Sequence, residues 1–213
     1  MNQPLKTIEE TPQPNVLAEL RKLMPARALR LYEHLTLAEA QATRLHRVLK
    51  QEAPAADLAW LASNKTPGIT VVTLPRWKME GLSGICKWTA DDGWVIGVNK
   101  SNPHARRRFT LAHELKHAID GNRDKITYRD INPRQREQIA DYFAACYLMP
   151  KFWLRRAWTH GLQDPEALAG LFKVSLQAMN KRLTYLGYVD AEPDRSITSY
   201  FRFDSLDNDL LAG

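Results

Sequence analysis

The stretch His113-Glu114-Leu115-Lys116-His117 lies in a segment with helical periodicity, and it decides how the rest of the chain is interpreted. Two histidines four positions apart project from one face of a helix, about one turn from each other. Two neutral imidazoles at this spacing can bind one tetrahedral zinc ion, and Glu114 between them can reach a water on that ion. With six histidines and eleven glutamates in 213 residues, the pattern is expected by chance only roughly 0.01 times. The alternative is a surface helix with two unrelated histidines.

A catalytic zinc site needs a third protein ligand and an open fourth position. Position 123, where a third histidine would stand in one class of zinc site, holds Arg123, which excludes that class. Glu137 on the next predicted helix is the better candidate, and Asp141 shares its face and could accept the second N–H of either histidine. The alternative for this pair is a solvated helix face, and Asp120 and Asp124 are further candidate ligands.

The flanking sequence predicts an α+β fold that is mostly helical, with a small three-stranded sheet of antiparallel type. Apolar residues at helical spacing predict helices over 15–50, and β-branched runs predict strands in 69–99, with an Asp-Gly hairpin before Trp94. Asn132 and Pro133 are typical of a helix start, and that helix runs to residue 150. Shorter helices are expected after residue 150.

The sequence resembles the ImmA/IrrE family of metallopeptidases. Residues 106–117 are similar to the family's R-x-R-F-T-L-A-H-E-L-G-H, and residues 137–144 and 148–150 to its E-x-x-A-[ND]-x-F-A…L-M-P. Residues 96–99 match its I-x-V-N strand, and residues 168–187 also fit the family.

The resemblance covers roughly residues 35–188 and implies a zincin-like, gluzincin-type zinc metalloendopeptidase with Glu137 as third ligand. It also implies a substrate, because family members cleave helix-turn-helix repressors and so relieve repression in mobile elements, phage-like regions or stress responses. One departure is Lys116, which stands where the family usually has glycine. A long cation there must point away from the zinc ion or occupy part of the cleft.

The predicted organisation has four parts. Residues 1–14 form a disordered tail, 15–160 the peptidase domain with its N-terminal helices, 161–189 a helix-turn-helix-like segment and 190–213 an acidic tail. The net charge is +6, and the chain before residue 190 carries +10. The two cysteines are expected as buried thiols, and the absence of a signal-like or membrane-spanning segment predicts a cytoplasmic protein that binds no membrane.

For the reaction we expect Glu114 to act as general base in peptide-bond hydrolysis, with Tyr128 and His160 as candidate donors to the oxyanion. An edge strand at residues 94–99 could bind an extended substrate by strand addition.

Two rival functions belong to other classes. Residues 168–186, with Lys181 and Arg182, are similar to a helix-turn-helix and would suit a DNA-binding regulator, although the alternative of a structural helix pair is favoured. The fold could also bind zinc and act as an interaction module, as in a toxin–antitoxin pair.

Overall fold

The computed structural model describes residues 15–62, 66–121 and 124–190. In chain order it contains α1 (Val16–Arg21), α2 (Leu31–Val48), α3 (Ala59–Ala62), β1 (Ile69–Leu74), β2 (Gly84–Thr89), β3 (Gly93–Asn99), α4 (His104–Asp120), α5 (Asp124–Thr127), α6 (Pro133–Leu148), α7 (Lys151–Thr159), α8 (Pro165–Phe172) and α9 (Leu176–Tyr185). The predicted α+β class is confirmed. The two predicted tails, except for residue 190, lie outside the described residues.

The three strands form one mixed sheet in the order β1-β3-β2. Strands β2 and β3 are the predicted hairpin, and Gly93 at their turn has a φ of +73°, a conformation that glycine adopts without steric cost. Strand β1 pairs with β3 in parallel, so the prediction of an antiparallel-type sheet is wrong in this half. Alternating apolar and polar residues identify a strand but not the strands that it pairs with. A parallel pair needs a long crossover connection, and the segment between β1 and β3 is long enough to form one.

The strand at 94–99 is central, because β3 pairs with β1 on one side and β2 on the other. The prediction that it is an edge strand is therefore wrong. Strands β1 and β2 occupy the two edges instead.

The core lies between the sheet and three long helices. Helix α6 packs against both α2 and α4, and α4 packs on β2 and β3. Leu115 and Ile119 of α4 and Phe143 and Tyr147 of α6 are fully buried at these contacts. Packing on both sides therefore fixes the position of α4 relative to α6.

The start of α6 is fixed by the predicted cap. The side chain of Asn132 accepts a hydrogen bond from the Gln135 backbone N–H, and the Gln135 side chain accepts one from the Asn132 N–H. Pro133 occupies the first turn, where it costs no hydrogen bond. Such a reciprocal cap fixes the first turn of the helix that carries Glu137.

Helices α8 and α9 form a short pair that is anchored on the end of α6. Ser175 caps α9, and Arg182 of α9 donates from Nε to the carbonyl of Met149 at 3.2 Å. The Arg182 side chain is only 2% exposed. One of the two cations on which a DNA-binding interpretation relies is therefore buried, whereas Lys181 is exposed. The helix-turn-helix likeness of this pair stays a prediction.

Within the described ranges, no helix combines the length and apolar character that crossing a membrane requires. Both cysteines are free thiols: Cys146 is buried and Cys86 is half-buried.

Candidate metal centre

The two histidines of α4 point at each other from successive turns. Their Nε2 atoms are 3.1 Å apart, and their rings meet edge to face. This placement follows from the spacing of four residues on a straight helix. The His113 side chain is 15% exposed and that of His117 is 30% exposed, so both can be reached from solvent.

Glu137 of α6 completes the group. Its carboxylate oxygens lie 3.2 Å from Nε2 of His113 and 3.5 Å from Nε2 of His117. The three side chains form one potential metal-binding group, and Glu137 is 60% exposed. The structure thus brings together the three residues that the sequence singles out as ligands.

The donor geometry fits a tetrahedral metal ion. Nitrogen and oxygen ligands at about 2.0–2.2 Å from a tetrahedral zinc ion lie about 3.3–3.6 Å from one another. The two imidazole nitrogens are 3.1 Å apart, and the nearest carboxylate oxygens are Oε2, 3.2 Å from His113, and Oε1, 3.5 Å from His117, so each separation is within a few tenths of an ångström of this range. Two histidines and a carboxylate are also a donor set that zinc accepts.

Asp141 contacts one of the two histidines. Its Oδ1 accepts a hydrogen bond from Nδ1 of His113 at 2.8 Å, which leaves Nε2 of that ring as the atom that faces His117 and Glu137. Burial by itself lowers the pKa of His113, but the bonds to Asp141 and Glu137 outweigh burial and raise the pKa to about 9. Hydrogen bonds to the two imidazoles hold the pKa of Glu137 well below its usual range. Positive charge is therefore strongly favoured at the centre of this group.

Glu114 lies on the neighbouring face of α4, against the sheet. It is buried, and burial raises its pKa above that of an exposed glutamate. A Cβ atom at Gly84 of β2 would lie 2.6 Å from its Oε1, so only glycine leaves room for this carboxylate. A carboxylate with a raised pKa beside a candidate metal centre is suited to accept a proton.

Lys116 points away from the two imidazoles, which is one of the two outcomes that the sequence allowed. Its side chain is fully buried and donates to Oε1 of Gln41 at 2.9 Å and to Oδ1 of Asp120 at 2.5 Å. Tyr128 donates to the other oxygen of Asp120 at 2.5 Å. Asp120 is thus occupied by a cation of this chain and a hydroxyl, and it does not join the group formed by His113. The side chain of Asp124 lies outside the described residues.

The two candidate donors to the oxyanion are both engaged elsewhere. The hydroxyl of Tyr128 is directed at Asp120, and Nδ1 of His160 lies 2.7 Å from the carbonyl of Arg156 in its own helix. Tyr128 does line a cleft of about 350 Å³ that begins at Glu114 and His117.

Sequence reasoning missed three residues that line this cleft. Cys86 and Trp94 come from β2 and β3, and Arg136 precedes Glu137 on α6. Cys86 was predicted only as a strand residue and a buried thiol, and Trp94 only as part of a substrate-binding strand, because alternation does not show which face of a sheet meets a helix. The position of Arg136 next to a candidate ligand was the one available signal.

Comparison with known proteins assigns the class that this fold and site define. The family model described as "IrrE N-terminal-like domain", peptidase family M78, matches residues 64–184. The chain belongs to this family, the ImmA/IrrE family, and the resemblance inferred from its motifs is confirmed.

No curated protein matches the chain. Among solved structures, it is similar to a Mycobacterium tuberculosis transcriptional regulator, with 21% identity and a TM-score of 0.49. That match covers 80% of this chain and 52% of the regulator, so the chain spans about half of the regulator's length.

Proposed function

We propose that this protein is a zinc-dependent endopeptidase that cleaves a helix-turn-helix transcriptional repressor. The observation that carries the proposal is the convergence of His113, His117 and Glu137 within 3.1–3.5 Å of one another. Membership in a peptidase family supports a protein substrate. The repressor is the part that rests on the family resemblance alone.

In this proposal His113, His117 and Glu137 hold the ion. Asp141 orients His113 through the bond to Nδ1, which fixes the tautomer and raises the basicity of Nε2. A bound zinc ion supplies a Lewis acid that polarises a carbonyl and lowers the pKa of water to about 7.

The proton is moved by Glu114. Its carboxylate takes a proton from the attacking water as the water oxygen bonds to the scissile carbonyl carbon. The same proton then passes to the amine nitrogen as the carbon–nitrogen bond breaks. The raised pKa of Glu114 brings it closer to the range in which one group both accepts and returns a proton.

The exposed edge of β2 offers a track for an extended substrate. The Asn99 N–H donates to the carbonyl of Ser83. Along an antiparallel pair of strands, residues whose backbone groups bond to the partner strand alternate with residues whose backbone groups point away from it. The backbone groups of Gly84, Cys86 and Trp88 therefore point to the open edge. Gly84 packs directly against Glu114, and Cys86 lines the same cleft as Glu114, so a strand added here would pass close to the general base.

Proline at Cys86 tests this track. Because the Cys86 N–H points outward, Cys86→Pro is compatible with an edge strand, and it removes one donor to the substrate. Cys86→Ala is the control, since it changes the side chain and keeps the N–H. We expect cleavage to fall in Cys86→Pro and to persist in Cys86→Ala; equal rates in the two variants would exclude β2 as the track.

The function itself is tested with zinc-loaded wild-type protein and Glu114→Gln. Each is incubated with any helix-turn-helix repressor that a neighbouring reading frame encodes, with and without chelator, and the products are read by mass spectrometry. We expect a discrete cut that chelator abolishes and that Glu114→Gln slows by about 10²–10⁴-fold while retaining zinc. Relief of repression that is unchanged by Glu114→Gln would instead identify an interaction module of the toxin–antitoxin kind.

Direct DNA binding is not part of the proposal, because Arg182 is buried against Met149. Salt-dependent binding of duplex DNA by the whole chain would overturn that view. The proposal places the protein in the cytoplasm, where a repressor is found, and two free thiols suit a reducing compartment.

A further inference from the structure

The cleft extends well beyond the reacting groups. It begins at Glu114 and His117 and follows α4 to its last residue and to Gly121, a length of about 10 Å at 1.5 Å per residue. Its volume is about 350 Å³, near the lower end of pockets that hold small ligands. The cleft therefore has room for one large side chain next to the reacting groups.

Two aromatic rings form the far walls of the cleft. A Cβ atom added at Gly121 would lie 2.8 Å from Nη2 of Arg21 and 3.0 Å from the Trp94 indole, so both side chains pack closely on the end of α4. Tyr128 is fixed from two sides. Its hydroxyl donates to Asp120, and the centroid of its ring lies 4.1 Å from the centroid of the His34 ring. Both rings are thus held in place before any ligand arrives.

The charges around the cleft oppose one another. Asp120 accepts from the buried Lys116 and from Tyr128, so its charge is matched within the protein. The guanidinium of Arg136 lies 5.0 Å from the Tyr128 ring centroid, and the carboxylate of Glu114 lines the same space. An acidic or a basic side chain of a ligand would therefore meet both positive and negative groups in this cleft.

The remaining wall is weakly polar. Burial raises the pKa of the Cys86 thiol to about 12, so this side chain is neutral and behaves as a small apolar group. Aromatic rings on two sides, a thiol and a glycine favour a flat apolar ligand. Contact between two aromatic rings is more stabilising than the burial of their apolar area alone.

We infer that the space between Trp94 and Tyr128 is a specificity pocket for one aromatic side chain of the substrate, next to the cleaved bond. This inference rests on the proposed peptidase function and names the side chain that it selects. Trp94 is the specificity-determining residue, because it forms the wall that no other described helix or strand supplies.

The test measures binding of amino-acid hydroxamates, which attach to zinc through the same group and differ only in side chain. Zinc-loaded protein is titrated calorimetrically with the hydroxamates of phenylalanine, alanine, glutamate and lysine. We expect phenylalanine hydroxamate to bind at least about tenfold more tightly than that of alanine, and the charged ones no better than alanine. Equal binding of the phenylalanine and alanine compounds, or tightest binding of a charged one, overturns the inference.

Matched variants locate the effect. Trp94→Ala is expected to bring the phenylalanine compound to within about twofold of the alanine compound. Trp77→Ala serves as the control, because Trp77 is 76% exposed and does not line the cleft. Trp94→Leu, which keeps apolar volume on the sheet, replaces Trp94→Ala if that variant does not fold. An unchanged preference in the Trp94 variant, or an equal loss in Trp77→Ala, contradicts the pocket.

The outcome is independent of catalysis. A protein that prefers the phenylalanine compound but cleaves no repressor retains the pocket and loses the proposed function. Cleavage of the repressor by a protein without that preference supports the proposed function and contradicts the pocket. Failure of all four compounds to bind contradicts both the pocket and the proposed function.

Discussion

Helix α4 carries two polar clusters, one around His113 and His117 and the other around Lys116, and the two clusters differ in where their positive charge comes from. In the first, two imidazoles and the carboxylate of Glu137 converge, and no lysine or arginine nitrogen bonds to them among the contacts of the described residues. In the second, the ammonium of Lys116 donates to Gln41 and Asp120, and the hydroxyl of Tyr128 donates to the other oxygen of Asp120. The first cluster needs a cation from outside, whereas the second is complete within the chain.

The hydrogen bonds within the two clusters indicate that the first is suited to bind a ligand and that the second is suited to stabilise the fold. Both clusters interrupt apolar helices, and composition alone does not tell them apart. The second is buried and satisfied, so it is expected to contribute to folding. The first is open to solvent and favours positive charge, so it is expected to contribute to ligand binding.

The largest effect is expected from removing the internal cation. Lys116→Met leaves Asp120 buried beside Tyr128 without its ion-pair partner, and breaking a buried pair costs about 3–5 kcal/mol. The free energy of unfolding of the metal-free protein, from urea titration, checks this.

A double variant provides the control for that measurement. Lys116→Met with Asp120→Leu removes both charges and is expected to recover most of the stability. If Lys116→Met unfolds no more easily than wild type but loses zinc, the division between the two clusters is wrong.

The next effect concerns the third ligand. Glu137→Gln keeps the shape of the side chain and removes its charge, and one ligand of four contributes about 3 kcal/mol if zinc binding supplies about 10–16 kcal/mol in total. We expect zinc affinity to fall by roughly 100-fold or more, as measured by competition with a chelator. Asp130→Asn is a control that removes a negative charge from an exposed side chain outside the cluster, and an equal loss there would point to general electrostatics.

A smaller effect is expected from the residue behind His113. Asp141→Asn weakens the bond to Nδ1, and loss of such an outer partner typically costs about 10–100-fold in metal affinity. Calorimetric titration of zinc measures this change. An affinity equal to that of wild type would show that Asp141 does not orient the ligand.

The smallest effect is expected at the start of α6. Asn132→Ala removes a capping bond and should lower the free energy of unfolding by about 0.5–2 kcal/mol. Zinc affinity should change far less than in Glu137→Gln, because the packing of α6 on α4 remains. A chelator assay and urea titration on the same sample compare the two effects.

Local spacing in the sequence accounts for much of the site. The spacing of His113 and His117 fixes their shared helix face, and the interval of four does the same for Glu137 and Asp141. The cap at Asn132 is equally local, and the structure has it. That the two helix faces meet was an inference from the combination of motifs.

Contacts between residues that lie far apart in the chain could not be predicted from the sequence. The parallel pairing of β1 with β3 and the edge position of β2 depend on how the hairpin folds back, which alternation does not specify. The partner of Lys116 also depends on Gln41, 75 positions away on α2. Trp94 could be assigned to a strand, but its contact with Gly121 arises only when the sheet packs on α4.

The central claim is that two imidazoles and the carboxylate of Glu137 hold one metal ion, and X-ray absorption at the zinc edge tests it most directly. For wild-type protein loaded with one equivalent of zinc, we predict two imidazole nitrogens at about 2.0–2.1 Å and oxygen ligands at about 2.0–2.2 Å, with one imidazole lost in His117→Ala. A shell without imidazole nitrogens, or one that His117→Ala leaves unchanged, would contradict the account.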